Sequence, residues 1–478
     1  VATTIEGQRI AVFGLGRSGL AVGRAALSRG AHPHIFDQKT LDQLPKRDAY
    51  DEALAARLEV TLGWDGRLPD GYDLLVVNPA VAKDHPTLTV AADSGVRIAG
   101  EIEFAYQISR APIVAITGTN GKSTTTVMTY LCLRACGVDA VLCGNIFGSG
   151  YPEVPLTEAA MSARADQILV AEVSSFQLEW TIDFEPISAG ITNIWPDHLD
   201  RYPGGFAEYA ETKHRIFANQ TERDFAVIKA NDPVVHAPGA PSTVYVPRHR
   251  RIRLPEKHAT GPTVLTFGAT GEHARVEEQE FFVLDKRVRL DELPFQEPHN
   301  YLNATMAALL AYGALRYMGK ARANVLPPEI IDGLKDFCGL AHRMEVVGDR
   351  GGIRVVNNSM CTNPDAVIKS TMALRDPVHI IIGGVNKGLD FGPLRHYLAN
   401  HRHHAYLFGS DAENLQKMLG QKWPIFRTLG EAFLAATEFA VLGEVIMLAP
   451  GCASTDQFRD FRERGDVFRK LAMDWLNR

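Results

Sequence analysis

Along this chain a short unbroken apolar run repeatedly gives way to glycines and then to apolar positions at helical spacing. The first case is "RIAVFGLGRSGLAVGRAALSRGAHPHIFDQ". It reads as a strand, a Gly-rich turn, a helical stretch with Leu20, Ala21, Ala25, Ala26 and Leu27, then Gly30 and a second strand ending at Asp37. Such a succession predicts a βαβ unit. A further strand, "YDLLVVNPAVA", stops at a turn-forming Asn-Pro, and the segment closes with "VRIAGEIEFAYQISR" before Ala111-Pro112. The pattern restarts at "PIVAITGTNGKS" and continues through "QILVAEVSS" and "AGITNIWPDHLD". From about Thr243 to Arg289 the texture changes. Short alternating runs such as "TVLTFGA" and "EFFVLDKRVRL" predict hairpins or a small β-subdomain. A helix follows in "HNYLNATMAALLAYGAL". After "FCGLAHRMEVV", the runs "GIRVVNNS", "HIIIGG", "HAYLFGS" and "EVIMLAP" alternate with helical stretches, which predicts α/β with a parallel sheet.

These series predict an α/β protein of three domains. Residues 1–110 would be Rossmann-like, and 111–339 a P-loop ATPase-type α/β domain with a small β-subdomain. Residues 340–478 would be a second Rossmann-like α/β domain. A length of 478 residues suits about three domains, and 46% apolar residues allow several buried cores. The net charge of −6 argues against a nucleic-acid partner but permits a local basic funnel for an anionic substrate. No apolar run approaches the roughly 18 residues of a membrane span, and the N-terminus lacks a signal-peptide pattern. A soluble cytoplasmic protein without membrane partners is expected. The six cysteines form no C-x-x-C motif, so packed, reduced thiols are expected rather than zinc or disulfides.

Chemistry enters at the carboxyl ends of the predicted strands, where α/β sheets bind ligands. Thr117 to Ser123 follow a strand and precede a helix, the context of a phosphate loop, although Ile116 stands where the common G-x-x-x-x-G-K-[ST] form has its first Gly. Gly118 and Gly121 let the backbone approach phosphates, Lys122 would meet the outer ones, and Ser123 or Thr124 could reach Mg²⁺. Glu172 ends an apolar strand and could ligate Mg²⁺. Alone, such an acid is more often a surface residue. Asp197-His198 also ends a strand, and a lone His there is more often structural. In "FAEYAETKHRIF", Lys213 falls on the apolar face with Phe206, Tyr209, Ala210, Ile216 and Phe217. Inward placement would lower its pKa and open it to carbamylation by CO₂, while a snorkelling Lys fits the pattern equally. Gly14-Leu15-Gly16-Arg17-Ser18-Gly19, with Asp37 about 20 residues on, is a full dinucleotide fingerprint. The same geometry serves any diphosphate, a UDP-sugar included. "PGCASTDQFRDFRERGDVF" reads either as a substrate loop entering a helix, with Ser454 near its N-cap, or as a solvated helix carrying Arg459 and Arg462.

Taken together, these motifs resemble the Mur ligases, the ATP-dependent amide-forming enzymes of peptidoglycan precursor synthesis. The resemblance spans nearly the whole chain. "TGTNGKST" resembles the family's compact phosphate loop, and "EVSSFQLE", "DHLDRY", "HNYLNA", "GLAHRMEVV" and "GCASTDQFRDFRERG" follow in order. The last, with "GLGRSG", resembles the glutamate-adding branch. The resemblance implies a UDP-substrate domain, a central ATP domain and a C-terminal amino-acid domain. It implies that Gly118, Thr119, Asn120, Gly121, Lys122, Ser123 and Thr124 bind ATP phosphates, with Asn300 and Asn303 near adenine and Arg343 and Asn358 also on the nucleotide. It implies a catalytic and metal centre of Lys122, Ser123, Glu172, His198 and a carbamylated Lys213. Arg17, Ser18, Asp37, Asn78, Asn145, Ser174 and Gln177 would bind the UDP-substrate, with Ser18 and Asp37 on the uridine diphosphate and Asn145, Ser174 and Gln177 in the region of the muramoyl part. Thr362, Lys387, Ser454 and Phe461 would contact glutamate. The implied cofactors are ATP and Mg²⁺, the implied substrates UDP-N-acetylmuramoyl-L-alanine and D-glutamate, and the implied state a monomer.

Some positions depart from the family pattern. "NSMCTN" stands where Asp-Ser-Lys-Ala-Thr-Asn is usual, so Asn358, Met360 and Cys361 replace Asp, Lys and Ala. Val385 stands where an acid is common, and Asn78 and Ala80 where Ser and Gly are usual. The loss of the motif's Lys makes an L-glutamate-adding variant the alternative expectation. Other rivals are a folylpolyglutamate-synthase-like ligase, which should lack "GLGRSG" and "CASTDQF", a non-catalytic nucleotide-sugar binder, and an NAD-dependent dehydrogenase.

Overall fold

The computed structural model describes residues 4–44, 48–235, 261–295, 297–374, 376–420 and 422–478. The chain divides into two compact units, Val1–Phe147 with Tyr151–Cys338, and Gly148–Gly150 with Gly339–Arg478. The first unit opens with β1 (Arg9–Phe13), β2 (His32–Asp37), β3 (Glu59–Leu62), β4 (Leu74–Val77) and β5 (Arg97–Gly100), in the order β3-β2-β1-β4-β5. All neighbours pair in parallel. The order reverses beside β1, so its Gly-rich turn lies at the switch point where such sheets bind ligands.

The central sheet of the same unit is formed by β6 (Ile113–Thr117), β7 (Ala140–Gly144), β8 (Glu153–Val154), β9 (Ile168–Glu172), β10 (Ser188–Ile191), β11 (Phe225–Lys229) and β12 (Thr263–Phe267). Its order is β12-β11-β10-β6-β9-β7-β8, again parallel throughout. β6 and β9 are buried at every residue, which is why they read as continuous apolar runs. One apolar cluster runs from Ile10, Val12 and Ile35 through Ile102, Phe104 and Ile108 to Ile113, Leu169 and Phe184. The sheets of the first two predicted domains therefore share a core and form one unit. At their seam the buried Glu103 carboxylate accepts from the amides of Ile182 (2.8 Å), Asp183 (3.1 Å) and Phe184 (3.1 Å), so its charge is met by oriented N–H groups.

The β-rich stretch is partly redistributed. "TVLTF" is β12, paired in parallel with β11, and does not belong to a hairpin. As an edge strand it is solvated on one face, and that alternation mimics a hairpin strand in sequence. β13 (Ala274–Glu277), β14 (Glu280–Val283) and β15 (Lys286–Arg289) do form a separate antiparallel sheet. The expected β-rich residues before 261 lie outside the described residues.

The second unit contains β16 (Glu345–Arg350), β17 (Ile353–Asn357), β18 (Val378–Gly383), β19 (His404–Phe408), β20 (Ile425–Phe426) and β21 (Val445–Leu448), in the order β16-β17-β21-β18-β19-β20. The sheet is parallel except that β16 pairs antiparallel with β17 at one edge. Apolar clusters cover its two faces, one around Val367, Ile380 and Leu394, the other around Val355, Phe433 and Phe468.

Candidate active site

The phosphate loop leaves β6 and enters the helix Lys122–Ala135, whose first amides have no partner within the helix and face any anion in the loop. Gly118 and Gly121 have φ of +146° and +82°. A Cβ on Gly118 would lie 1.9 Å from Thr192 Oγ1, and one on Gly121 2.5 Å from Asn303 Oδ1. The loop is thus clamped between the end of β10 and the helix Pro298–Tyr317. Asn193 secures it further, its Oδ1 accepting from Asn120 N at 3.1 Å and its carbonyl from Thr119 N at 2.8 Å. Thr119 Oγ1 lies 3.0 Å from Tyr209 OH, and Lys122 Nζ donates to Thr119 O at 2.9 Å. Thr124 is buried just inside the helix. Asn303 Nδ2 donates to Asn300 Oδ1 at 3.2 Å, so both predicted adenine residues stand beside the loop.

Ser123 Oγ donates to Glu172 Oε2 at 2.6 Å, and Asn145 Nδ2 donates to Glu172 Oε1 at 2.9 Å. The carboxylate is 3% exposed and oriented on both oxygens. Lys213 is 2% exposed, donates to Gly118 O at 2.9 Å and stands over the Tyr209 ring. Burial pushes its pKa down to about 7, with Lys122 adding to the fall and Asp197 and Glu172 opposing it. A large fraction of the amine is therefore neutral and nucleophilic near neutral pH. His198 sits on the Phe176 ring at 4.9 Å and pairs with Asp197 at 3.5 Å, with φ of +51°. Among the described residues no three His, Cys, Asp or Glu side chains converge to hold a metal on their own. A hydroxyl and one oriented carboxylate nevertheless fit Mg²⁺, which takes few protein ligands and completes its shell with phosphates and water.

In the N-terminal sheet Asp37 has both oxygens engaged, accepting from Leu15 N at 2.8 Å and Lys39 N at 2.9 Å. It shapes the Gly-rich turn as well as marking its mouth. Asn78 packs its amide against Gly14, and Ser18 lies partly exposed in the first turn of the helix Arg17–Ser28. Arg17 reaches Glu153 O at 3.3 Å and covers the Phe147 ring. Ser174 and Gln177 form a reciprocal capping box, and Gln177 also reaches the buried Glu101 at 3.4 Å. Arg201 joins two of these regions. It donates to Glu179 at 2.8 and 3.0 Å and to Val81 O at 2.9 Å, over the Phe176 ring.

The remaining candidates belong to the second unit. Arg343 Nη2 reaches Met360 Sδ at 3.2 Å, and Asn358 accepts from Met344 N at 3.2 Å. Thr362 and Lys387 are exposed, Ser454 is buried, and Phe461 opens the helix Phe461–Leu476.

Sequence reasoning missed Thr192, Asn193, Arg201, Glu179 and Arg464. Thr192 and Asn193 had a readable signal, since they follow a buried strand at its ligand-binding end. Arg464 had one too: it falls three residues after Phe461 and four before Phe468, on the apolar face.

Three family models match the chain in order. They are the Mur ligase MurD-like N-terminal domain over residues 8–100, the Mur ligase middle domain over 116–311, and the Mur ligase glutamate ligase domain over 342–452. Among similar proteins, the UDP-N-acetylmuramoylalanine–D-glutamate ligase of Caldanaerobacter subterraneus is 34% identical over 478 residues, covering 98% of this chain and 99% of that protein. The same-named protein of Pelotomaculum thermopropionicum is 35% identical, covering 98% and 97%. The Thermotoga maritima UDP-N-acetylmuramate-alanine ligase MurC shares the fold, with a TM-score of 0.55 at 19% identity, covering 98% of this chain and 99% of that one. An α/β architecture whose central sheet carries a phosphate loop between β6 and the helix Lys122–Ala135 defines a nucleotide-dependent enzyme. The chain belongs to the Mur ligase family, ATP-dependent enzymes that form amide bonds.

Proposed function

We propose that this chain joins glutamate to UDP-N-acetylmuramoyl-L-alanine at the expense of ATP, in the assembly of peptidoglycan precursors. The observation that carries this reading is the buried Glu172 carboxylate held by Ser123 and Asn145 beside the phosphate loop, in a protein whose relatives, matched over nearly their whole length, bear D-glutamate ligase names. Residues 1–110 would hold the uridine diphosphate, 111–339 ATP, and 340–478 the amino acid. The substrate carboxylate attacks the γ-phosphorus of ATP, and the bond to ADP breaks, leaving an acyl phosphate. The glutamate amine attacks that carbonyl carbon, loses a proton, and phosphate departs. Two anions meet in the first step, so Lys122 and the loop amides must screen their charge. Ser123 and Glu172 would hold Mg²⁺, which supplies further screening of the phosphate oxygens, and His198 belongs to the same centre. A neutral Lys213 amine attacks CO₂, releases a proton and becomes an anionic carbamate, a better metal ligand than an ammonium. ATP and the UDP-linked substrate are both nucleotides, which supports a cytoplasmic setting, and the enzyme is read as a monomer.

Met360 favours a second reading. It offers a thioether to Arg343 where the family motif carries an ammonium, so the amino-acid site has lost a cation, and L-glutamate is the alternative substrate. The test is phosphate release from ATP and Mg²⁺ with UDP-N-acetylmuramoyl-L-alanine and either enantiomer. Release with D-glutamate alone supports the first reading, release with L-glutamate alone the second, and release with neither overturns both.

A further inference from the structure

Arg464 is fully buried, and the partners of its guanidinium are carbonyl and hydroxyl oxygens of three separate segments. Nη2 donates to Ser359 O at 2.9 Å and Nε to Ser359 Oγ at 3.1 Å, on the segment after β17. Nη1 donates to Cys452 O at 3.1 Å, after β21, and to Gly383 O at 3.4 Å, at the end of β18. Ser359 Oγ in turn donates to Phe461 O at 2.7 Å, in the first turn of the helix that carries Arg464. All these segments leave the carboxyl edge of the sheet, where α/β folds bind ligands. The segments after β17, β18 and β21 bear the proposed glutamate contacts Thr362, Lys387 and Ser454 in turn, and the first helical turn bears Phe461. Burial lowers the guanidinium pKa to about 10, so it keeps its charge at neutral pH.

We propose that Arg464 is the positioning residue of the amino-acid site, fixing those segments on one guanidinium and lending its charge to the capture of a dicarboxylate amino acid. This inference rests on the glutamate-ligase reading above. A planar fork reaches separate acceptors in one plane, which a lysine ammonium cannot reproduce.

The test is steady-state kinetics of full-length Arg464→Lys beside Val355→Ala, a variant in the same unit's apolar core. Arg464→Lys should raise KM for glutamate about tenfold or more, the scale of one charge-assisted hydrogen bond lost, with KM for ATP and for the UDP-substrate within about twofold. Val355→Ala should lower the melting temperature without this selective change. Equal effects of the two variants on KM for glutamate would overturn the proposal, because the role would then be stability alone. If Arg464→Lys does not fold, Ser359→Ala decides. It removes the link to Phe461, and a selective rise of about threefold or more in KM for glutamate supports the proposal. An unchanged KM overturns it. A wild-type enzyme that turns over neither enantiomer removes the glutamate-ligase reading and this inference together, whereas normal wild-type turnover with an unaffected Arg464→Lys removes the inference alone.

Discussion

Two buried cations, Lys213 in the first unit and Arg464 in the second, meet burial in opposite ways. Lys213 has one hydrogen bond, to Gly118 O, and its pKa falls to about 7. Arg464 has four hydrogen bonds and a pKa of about 10. A lysine can shed its proton and become a nucleophile, whereas a guanidinium stays charged and must be surrounded by acceptors. The difference separates a site that reacts from a site that holds.

The largest test of that contrast is Lys213→Arg. If reactivity is the point, Arg should fail as badly as Ala, with phosphate release down about a thousandfold in both. Retention of activity within tenfold by Lys213→Arg would show that charge alone suffices, and the contrast would collapse. Next comes Gly121→Ala, which adds a Cβ 2.5 Å from Asn303 Oδ1 at φ +82°. ATP binding by calorimetry should weaken about a hundredfold, consistent with strain of about 1–3 kcal/mol in the loop plus displacement of Asn303. An unchanged affinity would mean that the clamped loop shape is not required.

A smaller effect concerns pH. The folded pKa of Lys213 is lowered from 10.5 to about 7, so between those values the unfolded chain binds a proton that the folded chain does not. The cost of burying the amine is full below about pH 7 and fades as pH rises toward 10.5. Lys213→Met should therefore raise the melting temperature relative to wild type more at pH 6.5 than at pH 9.5, and an equal difference at both would contradict the assigned direction. Asp37→Asn puts an NH₂ donor in place of one of the two oxygens that accept from Leu15 N and Lys39 N; it should raise KM for the UDP-substrate about tenfold and leave that for glutamate unchanged, in line with about 1.5 kcal/mol for a charged hydrogen bond. The smallest effect is expected for Ser174→Ala, which removes a helix cap worth about 1 kcal/mol and should appear in thermal unfolding.

Much of the first unit was legible in sequence because its strands are buried on both faces and its glycines punctuate them. β6 and the phosphate loop could be read directly, whereas the pattern left Lys213 equally open to an inward and a snorkelling placement until the fold buried it. β12 was misread as hairpin material because an edge strand alternates just as a hairpin strand does. The partners of Glu172 were not readable, since Ser123, Asn145 and Glu172 come from three different strand ends. Asp37 was marked as a ligand contact, but its hydrogen bonds to Leu15 and Lys39 depend on how the turn folds back.

By itself the sequence determined the alternation of strand, glycine turn and helix, and the identities of the groups able to do chemistry, because periodicity and residue type are local properties. Only the tertiary structure decided that the first two sheets share one core, that Glu172 is oriented on both oxygens, and that Arg464 joins several loops at one point. Those outcomes depend on contacts between residues tens to more than a hundred positions apart, such as Arg464 with Ser359, and no local pattern encodes such distances.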